Sequence, residues 1–241
     1  MRTLVVGDIH GGLKALEDVL AQTLPKKEDT FIFLGDYVDG WSESAQTVAY
    51  LMEFSEQYHC IFIRGNHDYL AYQYLKHGDD NPLWLRNGGE ATRESYERLS
   101  ETEMELHLKF YQQLVNYHLD AQNRLYVHAG FTNLHGPQYE YYPNLVYWDR
   151  TLWELACALD PNLSKDDPTY PARLQLFREI YIGHTPVTRL GETTPMHRAG
   201  VWNVDTGAAF KGPITVMDVD TKDYWQSAPV YQCYPLEKGR N

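Results

Sequence analysis

Five short apolar runs are each followed, within three residues, by a polar side chain that can bind a metal ion. Runs of this length are typical of buried β-strands, and apolar residues with helical spacing occur between them. Ligand sites in open α/β sheets lie just beyond the carboxyl ends of the strands. We therefore predict an α/β fold in which the five side chains meet at one rim. The runs cover residues 3–6, 30–34, 60–63, 125–127 and 180–182, and the side chains that follow are Asp8, Asp36, Asn66, His128 and His184.

The segments between and after these runs have their own patterns. Leu13, Leu16 and Leu20 lie on one face of a predicted helix, and a second helix follows Ser42, whose hydroxyl is positioned to cap it. With no internal repeat and no linker, we predict a single domain over residues 1–241 with a helical insert at about 67–120. The remaining predictions are loops at 132–147 and 160–171, a helix at about 150–159, and β-structure at 200–204, 214–219 and 230–234.

The chain is acidic, with a formal net charge of −12 from 21 basic and 33 acidic residues. Proteins that hold nucleic acid without sequence specificity need a basic surface, so we expect no nucleic-acid partner. The acidic balance does not exclude a phosphorylated substrate, because bound divalent cations can reverse the local field.

Cysteine usage and hydropathy bear on the compartment. The three cysteines are Cys60, Cys157 and Cys233, an odd number without CxxC spacing, which is typical of a reducing compartment. The first apolar run is far shorter than the apolar region of a signal peptide. No stretch approaches the ~20 apolar residues of a membrane span. We expect a cytoplasmic protein that does not associate with a membrane.

The polar residues at the predicted rim sort into two sets of metal ligands. Asp8 and His10, two residues apart at the end of a strand, point the same way and can share one cation with Asp36. The Asp36 carboxylate has enough lone pairs to bridge to a second cation. Two metal ions ~3.5–4 Å apart can clamp a phosphoryl group and activate a shared water, so we predict attack on phosphorus by a metal-bridging hydroxide. The second set of ligands is Asp36, Asn66, His128 and His184.

A leaving alkoxide needs a proton, and His67, next to the predicted ligand Asn66, is the best candidate for the general acid. Asp39 is placed to orient the charged imidazole of His67. A transition state with charge on the phosphoryl oxygens also favours a guanidinium group. We expect Arg150 and Asn66 to contact the substrate, and Arg64 is either a second phosphate ligand or a structural arginine.

The ordered motifs GDIHG, GDYVDG, GNHD, VHAG and GHTP resemble those of the calcineurin-like metallophosphoesterases, and within them the phosphoprotein phosphatase branch and its small bacterial and phage relatives. The resemblance covers residues 3 to about 210. It implies a β-sandwich flanked by helices, with two divalent metal ions at the rim. Manganese is our first choice of metal, with iron or zinc as alternatives. It also implies the same roles for the residues above: Asp8, His10, Asp36, Asn66, His128 and His184 as ligands, His67 as acid and Asp39 as its partner.

Three positions bear on which branch of the family this chain resembles. The phosphoprotein branch usually has a phosphate-binding arginine where this chain has Gly40, followed here by Trp41. Many other members have a second histidine where this chain has Pro186, and proline suits the phosphoprotein branch. Asp205 lies in a segment that resembles a tail motif of bacterial relatives, and we expect a structural or supporting role for it.

These features favour a metal-dependent phosphoric monoester hydrolase, first of all a serine/threonine protein phosphatase. The alternative is a hydrolase of dinucleoside polyphosphates of the diadenosine tetraphosphate type, or of another small phosphoester, which Gly40 keeps open. A non-catalytic binding module is the remote alternative, because all six ligands and His67 are present. The expected partner is a phosphorylated protein or a small phosphoester, and the sequence does not predict the oligomeric state.

Two groups of residues lie outside the motifs. Tyr139, Tyr141 and Tyr142 are predicted to form loop surface or one wall of a substrate groove. The other histidines are predicted to be surface or incidental residues: His59, His77, His107, His118, His135 and His197.

Overall fold

Two five-stranded β-sheets pack face to face in the structure, a computed structural model that describes residues 1–240. The strands of the first sheet have the order β10-β9-β1-β2-β3, and those of the second have the order β4-β5-β6-β8-β7. The strand bounds are β1 Thr3–Val6, β2 Thr30–Phe33, β3 His59–Phe62, β4 Tyr117–Leu119, β5 Arg124–Val127, β6 Glu179–Ile182, β7 Met196–Arg198, β8 Val201–Asn203, β9 Thr215–Asp218 and β10 Tyr224–Gln226.

Three neighbouring strands in each sheet run parallel. In the first sheet β1 pairs with β2 and β2 with β3 in parallel, and β9 and β10 are added antiparallel. In the second sheet β5, β6 and β8 are parallel, and the antiparallel strands β4 and β7 form its edges. Because parallel neighbours end at the same edge of a sheet, the loops after them are brought together.

Helices cover the outer faces of both sheets. The helices are α1 Leu13–Gln22, α2 Ser44–Gln57, α3 Asn66–His77, α4 Pro82–Trp84, α5 Glu90–Tyr96, α6 Glu101–Gln113, α7 Thr151–Ala158 and α8 Val230–Cys233. The segment Leu85–Gly89, in which Asn87 and Gly88 leave helical geometry, joins α4 to α5. Within residues 1–240, no helix has both the length and the apolar character needed to cross a membrane.

Side chains that alternate along β1 hold the layers together. Val5 packs with Tyr126 and Tyr181 in the layer between the two sheets. Leu4 and Val6 point the other way, into the cluster formed with α1 and α2. A third cluster packs α7 against the outer face of the second sheet. Each fully buried Leu or Val stabilises the fold by about 1.5–3 kcal/mol. The alternation along β1 therefore determines which of its faces packs on the second sheet and which packs on the helices.

The predicted α/β fold, a β-sandwich flanked by helices, is confirmed. The five strands expected before the polar motifs agree with the observed strands to within one residue at each end. One domain over residues 1–241 stays a prediction. The segment predicted as a helical insert holds α3 to α6, and it ends with the strand β4, which the sequence did not reveal.

Two local predictions are wrong. In the segment predicted as β-structure at 230–234, residues Val230–Cys233 form the helix α8, because Pro229 stands directly before the helix and Pro235 directly after Tyr234, which limits this apolar run to one turn. The N-cap residue of α2 is Glu43, and Ser42 does not cap the helix. The Ser42 hydroxyl instead donates a hydrogen bond to Glu237, at 2.7 Å.

His107 was expected at the surface or in an incidental position, and this is wrong. Its side chain lies in α6 with 5% of its surface exposed, and Nδ1 is 3.0 Å from the hydroxyl of Tyr96. The Tyr96 ring lies edge to face with the imidazole, with centroids 5.5 Å apart. Burial lowers the pKa of His107 to about 4, because the charged imidazolium would lose its hydration there.

This shift predicts a pH dependence of stability. Between pH 6.5 and 4 the unfolded chain binds a proton at His107 that the folded protein does not, so the free energy of unfolding should fall as the pH falls through this window. The loss from this residue is about 2–3 kcal/mol, since one pKa unit corresponds to 1.36 kcal/mol. Urea unfolding of the wild type and His107→Gln at pH 7 and pH 4.5 measures it. Equal losses in both proteins would contradict the assignment.

Candidate active site

Five predicted ligands with ionisable side chains meet at the rim where the parallel strands end. Two groups of ligand atoms, each within 4.8 Å of one another, form there, and Asp36 belongs to both. One group is Asp8, His10 and Asp36, and the other is Asp36, His128 and His184. All are buried. The shared Asp36 is the residue that the sequence predicts as the bridge.

Backbone carbonyls orient two of the imidazoles. Nδ1 of His10 lies 2.9 Å from the carbonyl oxygen of Asp39, and Nδ1 of His128 lies 2.8 Å from that of Leu34. A carbonyl can only accept, so Nδ1 is protonated in both rings, and Nε2 is the nitrogen that has a free lone pair when the ring is neutral. The two Nε2 atoms lie 3.7 Å and 3.3 Å from Oδ2 of Asp36. Both lone pairs thus face the shared carboxylate.

The sixth predicted ligand, Asn66, completes the second group. Its Oδ1 is 2.8 Å from Nδ1 of His184 and 3.3 Å from Nε2 of His128. Nε2 of His184 is buried without a hydrogen-bond partner among residues 1–240. A buried polar atom without a partner is costly unless a ligand satisfies it. Carboxylate, imidazole and amide oxygen donors converge here, and this set fits divalent metal ions.

The pKa shifts at His10, His184 and Asp36 favour the ionisation states that bind a metal, whereas burial raises the pKa of Asp8 and the charge of Asp36 outweighs burial to raise that of His128. Burial lowers the pKa of both His10 and His184 well below the ordinary value, so these imidazoles stay neutral, which is the form that binds a metal. Burial opposes the ionisation of Asp36, but the neighbouring His128 and His67 outweigh it and hold the pKa of its carboxyl well below its usual range. The carboxylate common to both groups therefore carries a negative charge at neutral pH.

The backbone at the rim is strained. His10, Asp36, Asp39 and His184 all have positive φ angles, between 55° and 73°. A residue other than glycine costs about 1–2 kcal/mol in this left-handed region. Such residues concentrate at functional sites, where the surrounding structure holds them in place. The left-handed conformation turns the chain sharply at each of these residues.

Glycines before the ligands allow carboxylates to pack against the backbone. A Cβ atom added to Gly65, before Asn66, would lie 2.1 Å from Oδ1 of Asp36. One added to Gly183, before His184, would lie 2.0 Å from Oδ1 of Asp8. Only glycine permits these approaches, which explains why glycine stands directly before both ligands.

His67 and Asp39 form a buried pair beside the ligand groups. Nδ1 of His67 is 2.6 Å from Oδ2 of Asp39. Asp39 also accepts hydrogen bonds from Nε1 of Trp84 and from the hydroxyl of Thr92, both at 2.6 Å. The rings of His67 and His10 lie edge to face with centroids 5.2 Å apart. Asp39 is thus held by three groups, and it fixes the orientation of the His67 imidazole.

The sequence did not reveal Trp84 and Thr92, because both lie in the helical segment that carries no motif.

Asp68, the last residue of GNHD, has a clear role in the structure. Its carboxylate accepts hydrogen bonds from the backbone N–H groups of Asp36, Tyr37 and Gly65, each at 2.8 Å. It joins the loops after β2 and β3, and so positions two of the ligands.

A cavity of about 330 Å³ opens over the ligand groups and His67. Three arginines line it, and sequence analysis identified only one of them, Arg150. The other two, Arg189 and Arg240, belong to no motif. Burial and the nearby positive charges of Arg189 and Arg240 lower the pKa of Arg150. None of the three forms an ion pair with a carboxylate within residues 1–240.

The family model for calcineurin-like phosphoesterases matches residues 1–199 of the chain. The chain belongs to this family. It is therefore a hydrolase of phosphoesters, as the motifs and the ligand geometry both indicate.

Relatives of this calcineurin-like phosphoesterase carry two kinds of name. The asymmetrical bis(5'-nucleosyl)-tetraphosphatase PrpE of Oceanobacillus iheyensis is 25% identical, over 93% of this chain and 91% of the relative. A crystal structure of a protein provisionally named a diadenosine tetraphosphatase has a TM-score of 0.60 at 20% identity, over 93% and 92% of the two chains. A protein serine/threonine phosphatase of Saccharomyces cerevisiae has a TM-score of 0.59 at 14% identity, over 95% and 83%. The two structures establish similarity of fold.

Four other residues considered in the sequence analysis line the cavity of this phosphoesterase. Asn66 and Arg150 line the cavity, as do Pro186 and Asp205. Arg150 donates a hydrogen bond to the hydroxyl of Thr185, at 3.2 Å. Asp205 is buried and accepts a hydrogen bond from the backbone N–H of Gly207, at 2.9 Å. Burial raises the pKa of its carboxyl to about 6.

Arg64 and the tyrosine cluster are not part of the cavity wall. Arg64 donates two hydrogen bonds of 3.1 Å to the carbonyls of Tyr111 and Leu114, so it joins β3 to the end of α6. Tyr139, Tyr141 and Tyr142 are each at least 60% exposed and do not line the cavity. The structure therefore supports the loop-surface interpretation of these tyrosines.

Proposed function

We propose that this calcineurin-like phosphoesterase hydrolyses a small substrate with several linked phosphates, with dinucleoside polyphosphates as the first class. The observation that carries the proposal is the set of three guanidinium groups without carboxylate partners over the ligand groups. One phosphoryl group can be bound by the metal ions and a single arginine. A chain of phosphates carries more charge over a longer span, and guanidinium groups match phosphate oxygens in charge and geometry.

The apolar lining of the cavity supports a nucleoside at one end of the substrate. Trp148 and Phe210 line the cavity, and Leu83, which is 62% exposed, lies at its rim. Aromatic rings next to charged groups suit a nucleobase that stacks while its phosphates are bound nearby. The similarity to PrpE over 93% of the chain points in the same direction.

Two divalent metal ions complete the proposed site. Asp8, His10 and Asp36 would hold one, and the shared Asp36 with Asn66, His128 and His184 would hold the other. Charge stabilisation at the phosphoryl oxygens and activation of the attacking water are the chemistry that such ions supply. We propose manganese as the metal, with iron or zinc as alternatives.

The protein's own residues provide the proton and the orientation. The Nδ1–H of His67 donates to Asp39, which leaves Nε2 to give its proton to the leaving-group oxygen. Asp39 stabilises the charged imidazolium and keeps the ring fixed. Arg150 would bind a phosphate oxygen next to His184 and Asn66, since all three line the same cavity.

A serine/threonine protein phosphatase is the second candidate. Pro186 favours it, because this cavity-lining residue occupies the position where a second histidine would add a ligand to the first metal site. The shared fold with the yeast serine/threonine phosphatase is compatible with it. Three free thiols, Cys60, Cys157 and Cys233, support a reducing compartment such as the cytoplasm for either function.

Purified protein loaded with manganese should be assayed on diadenosine tetraphosphate, a phosphoserine peptide and p-nitrophenyl phosphate. The first proposal predicts a kcat/KM for diadenosine tetraphosphate at least about tenfold above that for the peptide, the equivalent of about 1.4 kcal/mol. The reverse order would replace it by the protein phosphatase.

A further inference from the structure

We infer that Arg240 is a substrate-phosphate ligand, delivered to the first ligand group by the folded segment 234–240. The inference depends on the proposed function only for the class of substrate. Binding of a phosphate oxygen by Arg240 can be tested independently of that class. Arg240 lines the cavity together with His10, Asp36 and His67. No motif contains it, and it lies about 200 residues after Gly40, the position beside which it packs.

The segment that carries Arg240 is anchored at several points. Tyr234 is buried and stacks on Trp41, with ring centroids 5.5 Å apart. Glu237 accepts hydrogen bonds from the backbone N–H and hydroxyl of Ser42, at 3.0 Å and 2.7 Å. The backbone N–H of Arg240 donates to the carbonyl of Ala209, at 2.9 Å. These contacts fix the backbone of the segment without using the Arg240 side chain.

Two glycines form a slot for the stem of this side chain. A Cβ atom added to Gly40 would lie 3.3 Å from Cγ of Arg240, and one added to Gly88 would lie 3.1 Å from the same atom. Both glycines have positive φ angles, 124° and 106°, and Gly40 donates a backbone hydrogen bond to Gly88. A larger residue at either position would crowd the stem. The absence of a side chain at Gly40 thus leaves space for the stem of Arg240.

The guanidinium group forms no ion pair within residues 1–240, although its charge favours the ionised form of Asp205, which lines the same cavity. Its Nε is buried without a hydrogen-bond partner, and no carboxylate within residues 1–240 pairs with it. Its Cζ lies 5.5 Å from the ring centroid of Phe210, which also lines the cavity. A guanidinium that only anchored the segment would be expected to bind carbonyls, as Arg64 does. The Arg240 guanidinium lies over the cavity with N–H donors that bind no protein group, and this arrangement suits an anionic ligand.

Local geometry also places Arg240 near the first ligand group. The same added Cβ of Gly40 would lie 3.6 Å from Cβ of His10, and Trp41 donates its backbone N–H to the His10 carbonyl. Arg150 instead lines the cavity beside His184 through Thr185. The two arginines therefore flank the site of phosphoryl transfer from different elements.

The test uses the full-length, manganese-loaded protein and inorganic phosphate as the probe. Arg240→Ala should raise the inhibition constant for phosphate about 10- to 100-fold, the range expected for a lost charge-assisted hydrogen bond. Arg240→Lys should recover part of the loss, since it keeps the charge without the planar fork. Arg198→Ala, at an exposed arginine whose guanidinium donates to the His197 carbonyl, is the matched control and should leave the constant unchanged.

A second variant displaces Arg240 without removing it. Gly239 has a φ of 58°, and a Cβ atom there would lie 2.7 Å from the Trp41 ring and 2.8 Å from the Ala209 carbonyl oxygen. Gly239→Ala should therefore weaken phosphate binding as Arg240→Ala does. Wild-type phosphate affinity in Arg240→Ala would overturn the inference. Activity on phosphopeptides alone would overturn the multi-phosphate substrate and leave the Arg240 result to stand by itself.

Discussion

Asp36→Asn is expected to abolish metal-dependent hydrolysis and to lower the number of bound metal ions. Asp36 is the carboxylate common to both ligand groups, and its Oδ1 accepts the backbone N–H of His67 at 2.9 Å. Asparagine keeps the shape and can still accept that hydrogen bond, but it removes the charge that both metal positions share. We expect kcat to fall roughly a thousandfold or more, since metal ions supply several kcal/mol of transition-state stabilisation.

The measurement is manganese stoichiometry by equilibrium binding, alongside hydrolysis of p-nitrophenyl phosphate by stripped and reloaded protein. Asp29→Asn is the matched control, because Asp29 is also a fully buried aspartate but pairs with Arg2, away from the cavity. It should keep the wild-type stoichiometry. Two bound ions and an unchanged kcat in Asp36→Asn would show that Asp36 is not the bridge.

His67→Gln is expected to lower kcat by about 10²–10⁴ for substrates with a poor leaving group, the usual contribution of a general acid. The reason is geometric: His67 lies in the cavity and its Nδ1 is held 2.6 Å from Asp39. The loss should be much smaller for p-nitrophenyl phosphate, whose leaving group departs without a proton. Kinetics on this ester and on an alkyl phosphate, for wild type and variant, measure the difference.

A graded series tests the support of this acid. Asp39→Asn should give the same leaving-group dependence as His67→Gln with a smaller loss. Trp84→Phe removes one of the donors to Asp39 and should have the weakest effect. Equal losses on both esters for His67→Gln would assign His67 to substrate binding and not to proton transfer.

Much of the rim could be predicted because each ligand follows its strand directly. The chain direction at the end of β1 determines where Asp8 and His10 point, and the same holds for Asp36, His128 and His184. Asp39 could also be predicted, since it lies three residues after Asp36 in the same turn. In each case a local backbone path carries the information.

The residues that support and complete the site could not be predicted, because long-range packing places them. Thr92 reaches Asp39 across 53 positions, and Trp84 across 45. Arg240 enters the cavity only because Tyr234 stacks on Trp41 and Gly40 leaves space. Residues 230–234 illustrate the same limit, since an apolar run of this length fits a strand or one helical turn equally well.

The left-handed backbone at His10, Asp36, Asp39 and His184 sets stability against activity when the sequence changes at these positions. Glycine would relieve the torsional cost at each of these positions, so the most stable version of the chain is not the one that carries the chemistry. Four conformationally unfavourable residues therefore lie together at one rim, where the proposed chemistry needs their side chains. A thermostabilised descendant obtained by screening for foldedness alone would therefore tend to lose its function at this rim first.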